Sequence, residues 1–338
     1  MLDLLWLLLP VAAASGWWAA LYSQKKSRAR AQALLNSAYG RGLNHLLNEE
    51  PDKATEVLVR MVEVDPDTVE LHLALGGLFR RRGEVDRAIR VHQNIIARSR
   101  LSEDLRAQAT LELGRDFLGA GLLDRAEQLF RNLLERGEYE EEVCRHLIDV
   151  YQQEKEWQRA LEIGRRLQKF GSDSCRLRLS QYHCELAEAA LVAGDQERAL
   201  RETERALEED DACVRATLLQ GDILARQGDH ATALQTYLRV ERQNTELLPE
   251  VIGRLRDCYR RLGDAAKGEA CIAALRERYH LPSFGEEGKG APEPAALVGQ
   301  ALRYRCEQCG FSSRRLFWQC PGCKCWSSVK PLKTVGAA

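Results

Sequence analysis

Proline is scarce in this chain, nine residues among 338. Together with 45% apolar residues, that excludes collagen-like structure and excludes disorder over most of the length. No Gly-rich phosphate loop occurs, and nothing along the body pairs a nucleophile with a base, so the body does not read as catalytic. Net charge is almost absent, −1 overall, but the balance is uneven. Residues 1–35 carry +3, residues 36–299 carry −10 and residues 300–338 carry +6, an acidic body between two basic ends. Cysteine is not scarce: there are eleven, an odd number, and five of them crowd between 306 and 325. That distribution argues against a secreted disulfide scaffold.

What is present begins with an apolar run. Leu4 to Tyr22 contains no charge over nineteen residues, close to the ~20 a helix needs to cross a bilayer. Trp17, Trp18 and Tyr22 stand at one end, followed by Lys25, Lys26, Arg28 and Arg30, against only Asp3 on the preceding flank. The positive-inside bias predicts a single-pass anchor over 1–22 and a basic juxtamembrane segment over 23–35. The N-terminus would lie outside and the bulk of the chain on the cytoplasmic side. A cleaved signal peptide would carry its positive charge before the apolar run, the reverse of what is seen.

The body repeats itself. Ala54, Ala88, Ala126, Ala160, Ala199 and Ala233 recur at intervals of 34, 38, 34, 39 and 34 residues. Twelve residues before five of them stand Gly42, Gly76, Gly114, Ala187 and Gly221, and five residues before four of them stand the turn glycines Gly83, Gly121, Gly194 and Gly228. Such a period predicts helical hairpins whose small residues let two backbones approach, stacked because no single hairpin buries its apolar face alone. A seventh, degenerate unit follows around Gly263, with Gly268 in the alanine's place. The pattern resembles the tetratricopeptide repeat and spans 36–278 in about seven units. The 38 and 39 intervals predict insertions in inter-repeat loops near Ser99–Arg106 and Gly171–Ser174. First-helix positions away from the small-residue seam mark a candidate partner groove: Leu73, Arg80, Arg81, Leu111, Arg115 and Leu118. The bland alternative makes them inter-repeat contacts or solvated arginines. Cys144, Cys175, Cys184, Cys213, Cys258 and Cys271, with His45, His72, His92 and His183, read as packing residues.

A Gly- and Pro-containing linker over 279–302 precedes a different module at 303–332. Cys306-x₂-Cys309 and Cys320-x₂-Cys323, ten residues apart, place four thiolates as a tetrahedral ligand set. Zinc fits that set; iron is the alternative, since the pattern is similar to rubredoxin, and the sequence does not choose between them. Four thiolates leave no open position for hydrolytic chemistry. Cys325 has the wrong spacing and is left outside the ligand set. The predicted fold is therefore all-α: a tetratricopeptide-repeat solenoid with an N-terminal transmembrane helix and a small rubredoxin-like zinc ribbon.

Anchor, repeats and ribbon in this order, with Leu7 to Ala14, Leu78 to Arg90, Gly121 to Glu127 and Tyr304 to Cys323 as they stand here, resemble the lipopolysaccharide assembly protein B family of Gram-negative bacteria. The resemblance implies a non-enzymatic inner-membrane adaptor, its N-terminus periplasmic. It would promote degradation of the LpxC deacetylase by the FtsH protease, alongside an inner-membrane lipopolysaccharide-sensing protein. It also implies a ribbon packed back onto the repeats, ligated by Cys306, Cys309, Cys320 and Cys323. One departure is that a low-complexity linker stands where the family has more helical repeat. Membrane lipids are a further expected contact, and homo-oligomerisation stays open. A competing reading uses the +6 charge of residues 300–338 and the ribbon's Phe317, Trp318 and Trp326 for nucleic acid; the acidic array and the anchor weigh against it. A third is electron transfer through an iron-loaded ribbon.

Overall fold

The computed structural model describes Val57, Val59 and residues 68–171, 174–281 and 303–332. The expected anchor, the basic segment 23–35, Gly42, Ala54 and most of the linker lie outside the described residues. Among the described residues no helix is long and apolar enough to cross a membrane. The chain divides into two compact units, 1–150 and 151–338.

The first unit holds α1 (Val69–Arg81), α2 (Val85–Ile96), α3 (Glu103–Gly119), α4 (Leu123–Glu135) and the start of α5 (Glu140–Glu154). Each hairpin closes where a small residue admits a large one. A Cβ on Gly76 would fall 2.4 Å from His92 Nε2, and one on Gly114 would fall 2.5 Å from the Phe130 ring. Ala88 and Ala126 are fully buried opposite them. Reversal after α1 requires a left-handed residue. Gly83 supplies φ +78°, so that its N–H reaches Arg80 O at 3.0 Å and the Glu84 N–H reaches Phe79 O at 2.9 Å, satisfying carbonyls the helix end leaves open.

The second unit continues with α6 (Trp157–Gln168), α7 (Ser174–Val192), α8 (Gln196–Glu209), α9 (Val214–Arg226) and α10 (His230–Leu238). Short helical turns at Val240–Gln243 and Thr245–Leu247 lead to α11 (Pro249–Arg261) and α12 (Ala265–Tyr279). Ala160, Ala199 and Ala233 are fully buried, and Gly221 lies under the Tyr237 ring, where a Cβ would approach to 2.3 Å. The reversal between α5 and α6 uses no glycine: Lys155 takes φ +59°, and the Glu156 N–H donates to Tyr151 O at 2.9 Å.

The residues that lengthen two of the intervals are largely helical, which corrects the expectation of loop insertions. α1 and α9 have 13 residues each, whereas α3 has 17 and α7 has 19. The extra turns precede the small-residue seam. Added helix pairs its own backbone and buries Ala107 and Cys175, which a longer loop would not do.

After the linker, β1 (Tyr304–Cys306), β2 (Ser312–Ser313) and β3 (Val329–Pro331) form an antiparallel sheet in the order β2-β1-β3. Register pairs Tyr304 with Ser313 and Arg305 with Lys330.

Candidate metal centre and its seat on the repeats

Two knuckles of matching geometry carry the ribbon's thiols. In the first, the Cys306 N–H donates to Phe311 O at 2.7 Å and the Gly310 N–H donates to Cys306 O at 3.0 Å. In the second, the Cys320 N–H donates to Cys325 O at 2.9 Å and the Lys324 N–H donates to Cys320 O at 2.9 Å. The fourth residue after the leading cysteine is left-handed in both: Gly310 at φ +75° and Lys324 at φ +59°. Cys325 therefore matches Phe311 in position. Its backbone carbonyl closes the knuckle, and its exposed side chain stays outside the cluster.

The sulfur atoms of Cys306, Cys309, Cys320 and Cys323 all lie within 4.8 Å of one another. Cys306 and Cys323 are 3.6 Å apart, as are Cys309 and Cys320. A tetrahedron of ~2.3 Å metal–sulfur bonds has edges of about 3.8 Å, so the set matches a four-thiolate ion to within about 1 Å. The Ser328 hydroxyl, 3.4 Å from Cys306 Sγ, is the main influence holding that thiol down at about 6, aided by the backbone N–H groups of Cys309 and Gln308. One ligand is thus inclined to the thiolate that a metal needs. Around the cluster, Tyr304, Cys306, Cys320 and Val329 form the buried ribbon core, with Phe311, Leu316 and Phe317 packed against it.

Within the second unit the ribbon is seated on the repeats. Trp326 is only 8% exposed. Its indole N–H donates to Gln152 Oε1 at 2.8 Å, and the same oxygen accepts from the Tyr182 hydroxyl at 3.0 Å. The indole meets Trp157 and Tyr182 edge-on, each with centroids 6.1 Å away. The Arg215 guanidinium lies 5.7 Å from it and is itself held by Glu185 and Glu188 at 2.8 Å. Tyr304 donates its hydroxyl to Glu250 on α11, and Leu316 and Trp318 pack against the core around Val214, Leu218 and Val251. Burial and Glu250 both push the Tyr304 phenol up, keeping it a donor. Trp326 is consequently no free platform for stacking a base, which corrects its place in the nucleic-acid reading.

The candidate groove residues lie in the first unit and separate into three kinds. Leu73 and Leu111 are 7% and 2% exposed. They are corrected here to interior residues, because a first helix in a stack has a second buried side facing the neighbouring hairpin, where Leu73 meets Ile95 and Ala109. Arg80 and Arg115 are half-buried and tied up. Arg80 donates to Asp116 at 2.7 Å and Glu112 at 2.6 Å. Arg115 donates to Glu112 at 2.5 Å, to His146 Nε2 at 3.1 Å and to Glu142. Arg81 is exposed and Leu118 partly so. Asp116, fully buried, also holds His92 Nδ1 at 2.5 Å, and His183 pairs with Glu202 at 2.7 Å, so both buried histidines are pinned by carboxylates rather than filling space passively. Nothing in the spacing of Asp116, Glu112 or Gln152 singles them out; only their partners across the fold do.

The comparisons with known proteins agree with this architecture. A rubredoxin metal binding domain family matches residues 304–331, and the tetratricopeptide repeat family matches 39–99, 111–174 and 184–246. Lipopolysaccharide assembly protein B of Escherichia coli strain K12 is 34% identical over 385 aligned positions, covering 98% of this chain and 99% of that protein. The protein of the same name from Haemophilus influenzae is 29% identical, covering 98% of each. Among solved structures, YrrB, a repeat protein with an unusual peptide-binding site, aligns at a TM-score of 0.40 and 16% identity over 56% of this chain and 94% of its own.

Proposed function

This chain belongs to the lipopolysaccharide assembly protein B family, and we propose that within it the protein acts as a membrane-tethered cytoplasmic adaptor that restrains lipopolysaccharide synthesis. It is a non-enzymatic repeat scaffold. The adaptor would hold the LpxC deacetylase beside the FtsH protease and receive the level of lipopolysaccharide from an inner-membrane sensor protein. The observation that carries the reading is a match running through anchor segment, repeats and ribbon alike, 98% of the chain. Physically the mechanism is proximity: holding client and protease on one anchored scaffold raises their effective concentration with no chemistry by the scaffold.

In this reading residues 1–22 hold the scaffold at the inner membrane with the N-terminus periplasmic, and Lys25, Lys26, Arg28 and Arg30 face anionic headgroups. We assign zinc to Cys306, Cys309, Cys320 and Cys323. Bound there it supplies folding energy and no reaction, because four thiolates fill its coordination. Arg81 and Leu118, which solvent reaches, are the groove positions to probe for the client.

The test is a chain lacking residues 1–22, expressed in cells depleted of the native protein. The expected outcome is a folded protein with one metal per chain that fails to lower LpxC. Full complementation by that truncation refutes tethering. Crosslinking from Arg81 and Leu118 in membranes is expected to capture the deacetylase or the protease. Metal analysis of the purified chain is expected to return zinc; iron with visible absorbance overturns that assignment and supports electron transfer.

A further inference from the structure

Cys184 and Cys213 read in the sequence as unrelated packing residues, 29 positions apart. The fold brings them together. Cys184 lies on α7, Cys213 immediately precedes α9, and their sulfur atoms are 3.9 Å apart. Exposure is 0% and 3%, in a pocket closed by Ala206 and Ala216 and flanked by Leu207 and Leu219. Neither thiol belongs to the ribbon's four-cysteine cluster. A disulfide of about 2.05 Å asks for roughly 2 Å of closure between these atoms.

The surroundings prepare the two sulfurs differently. Cys213 Sγ accepts from Gln181 Nε2 at 3.4 Å. The thiol of Cys184 is the largest influence lowering Cys213, to about 7, and the Ala216 N–H at the start of α9 adds to it. Burial holds Cys184 well above an ordinary thiol, against the Arg215 guanidinium, which favours its anion. One sulfur is thus inclined to the thiolate that attacks, and the other stays protonated beside it.

We propose that Cys184 and Cys213 are a peroxide-sensitive dithiol site, closed to a disulfide by a hydroperoxide. The Cys213 thiolate attacks the terminal peroxide oxygen, breaking the O–O bond; Cys213 becomes a sulfenic acid and the alkoxide or hydroxide leaves with a proton. Cys184 then attacks Cys213 Sγ and displaces hydroxide, which takes the Cys184 proton and departs as water. Two thiols have lost two electrons to one peroxide. The bridge ties α7 to the start of α9. The Gln181 amide that donates to Cys213 is shared with the ribbon's seat, because its Nε2 also lies 3.5 Å from Ser327 Oγ, and Arg215, two residues beyond Cys213, faces Trp326.

Peptide mapping of the full-length, metal-loaded chain tests this. The protein is treated with hydrogen peroxide, free thiols are blocked under denaturing conditions, and tryptic digestion follows. The two cysteines fall on separate peptides, 179–198 and 206–215. The expected result is those peptides joined, two hydrogens lighter than their sum, and loss of alkylation at both cysteines together. In Cys184→Ser the expected result is a dimedone adduct on Cys213 and no joined peptide. Full alkylation of both residues after peroxide overturns the proposal, as does joining of either one to a ribbon cysteine. Should the serine variant fail to fold, the unmutated chain still decides between these outcomes.

Discussion

Trp326→Ala removes the side chain that holds the ribbon to the repeats, and its cost can be worked from the contacts. The substitution deletes an almost fully buried indole, two edge-on ring contacts and one hydrogen bond to Gln152 at 2.8 Å. Large aromatic-to-alanine changes in packed sites cost about 3–5 kcal/mol. The ring pairs account for ~0.5–1.5 kcal/mol each and the hydrogen bond for ~1 kcal/mol of that total. At 1.4 kcal/mol per factor of ten, docking should weaken by roughly two to three and a half orders of magnitude. The loss is local, since Trp326 lies outside the buried core of the ribbon and is not one of the four clustered cysteines.

Hydrogen exchange reads this directly. Amides of residues 303–332 should exchange faster in the variant while α8 and α10 keep their protection, and limited proteolysis should cut the linker sooner. With zinc in excess the variant should still hold one metal per chain. Trp326→Phe keeps the ring contacts and loses only the N–H, so it should give a much smaller effect, about 1 kcal/mol. Unchanged exchange in the ribbon of Trp326→Ala would refute the docking argument, and global unfolding would show that the ring belongs to the core of the unit instead.

Further outcomes follow from the fold. Gly221→Ala should lower the melting temperature: a Cβ 2.3 Å from Tyr237 overpacks the seam by about 1–3 kcal/mol, more than the ~1 kcal/mol alanine gains in helix propensity, and equal or higher stability would show that the ring yields. Lys155→Gly should stabilise by about 1 kcal/mol in denaturant unfolding, because φ +59° strains a lysine and not a glycine; a loss would mean the lysine side chain makes an offsetting contact. Burial and Arg115 hold His146 at about 4, below its ordinary 6.5. The unfolded chain therefore binds the proton first, and stability should fall as pH drops from about 6.5 to about 4. His146→Gln should flatten that slope, and an unchanged slope would assign it elsewhere.

The parts legible in the sequence were those where one residue type is required by local geometry. Buried alanines at Ala88, Ala126, Ala160, Ala199 and Ala233 and left-handed glycines at Gly83 and Gly121 are such positions, and the paired knuckles are fixed by their own short hydrogen bonds. The burial of Leu73 and Leu111 is not legible, because the seam pattern marks one buried side of a first helix and is silent about the side facing the next repeat. The helical character of the lengthened intervals is not legible either, because a spacing counts residues without saying whether they coil. Trp326 and Gln152 are 174 positions apart, and no periodicity links a ribbon side chain to the helix that receives it. Asp116 was equally hidden, an ordinary helical aspartate until Arg80 and His92 converge on it.

Docking and metal binding are linked through the same ribbon. Its core, Tyr304, Cys306, Cys320 and Val329 with a few partners, is too small to fold unaided, so the metal-free ribbon has no fixed surface to place on the repeats. Only the loaded ribbon docks, and the apparent metal affinity is then the intrinsic affinity multiplied by one plus the docking constant. A substitution that weakens docking must lower metal affinity, by as much as the whole factor of one plus the docking constant where docking is lost, although Trp326 touches no ligand sulfur. Competition against a chelator of known strength measures this in the intact chain and in Trp326→Ala. Equal affinities, with docking lost by hydrogen exchange, would mean that the ribbon closes around its metal independently of the array, and that metal supply cannot control how the repeats are covered.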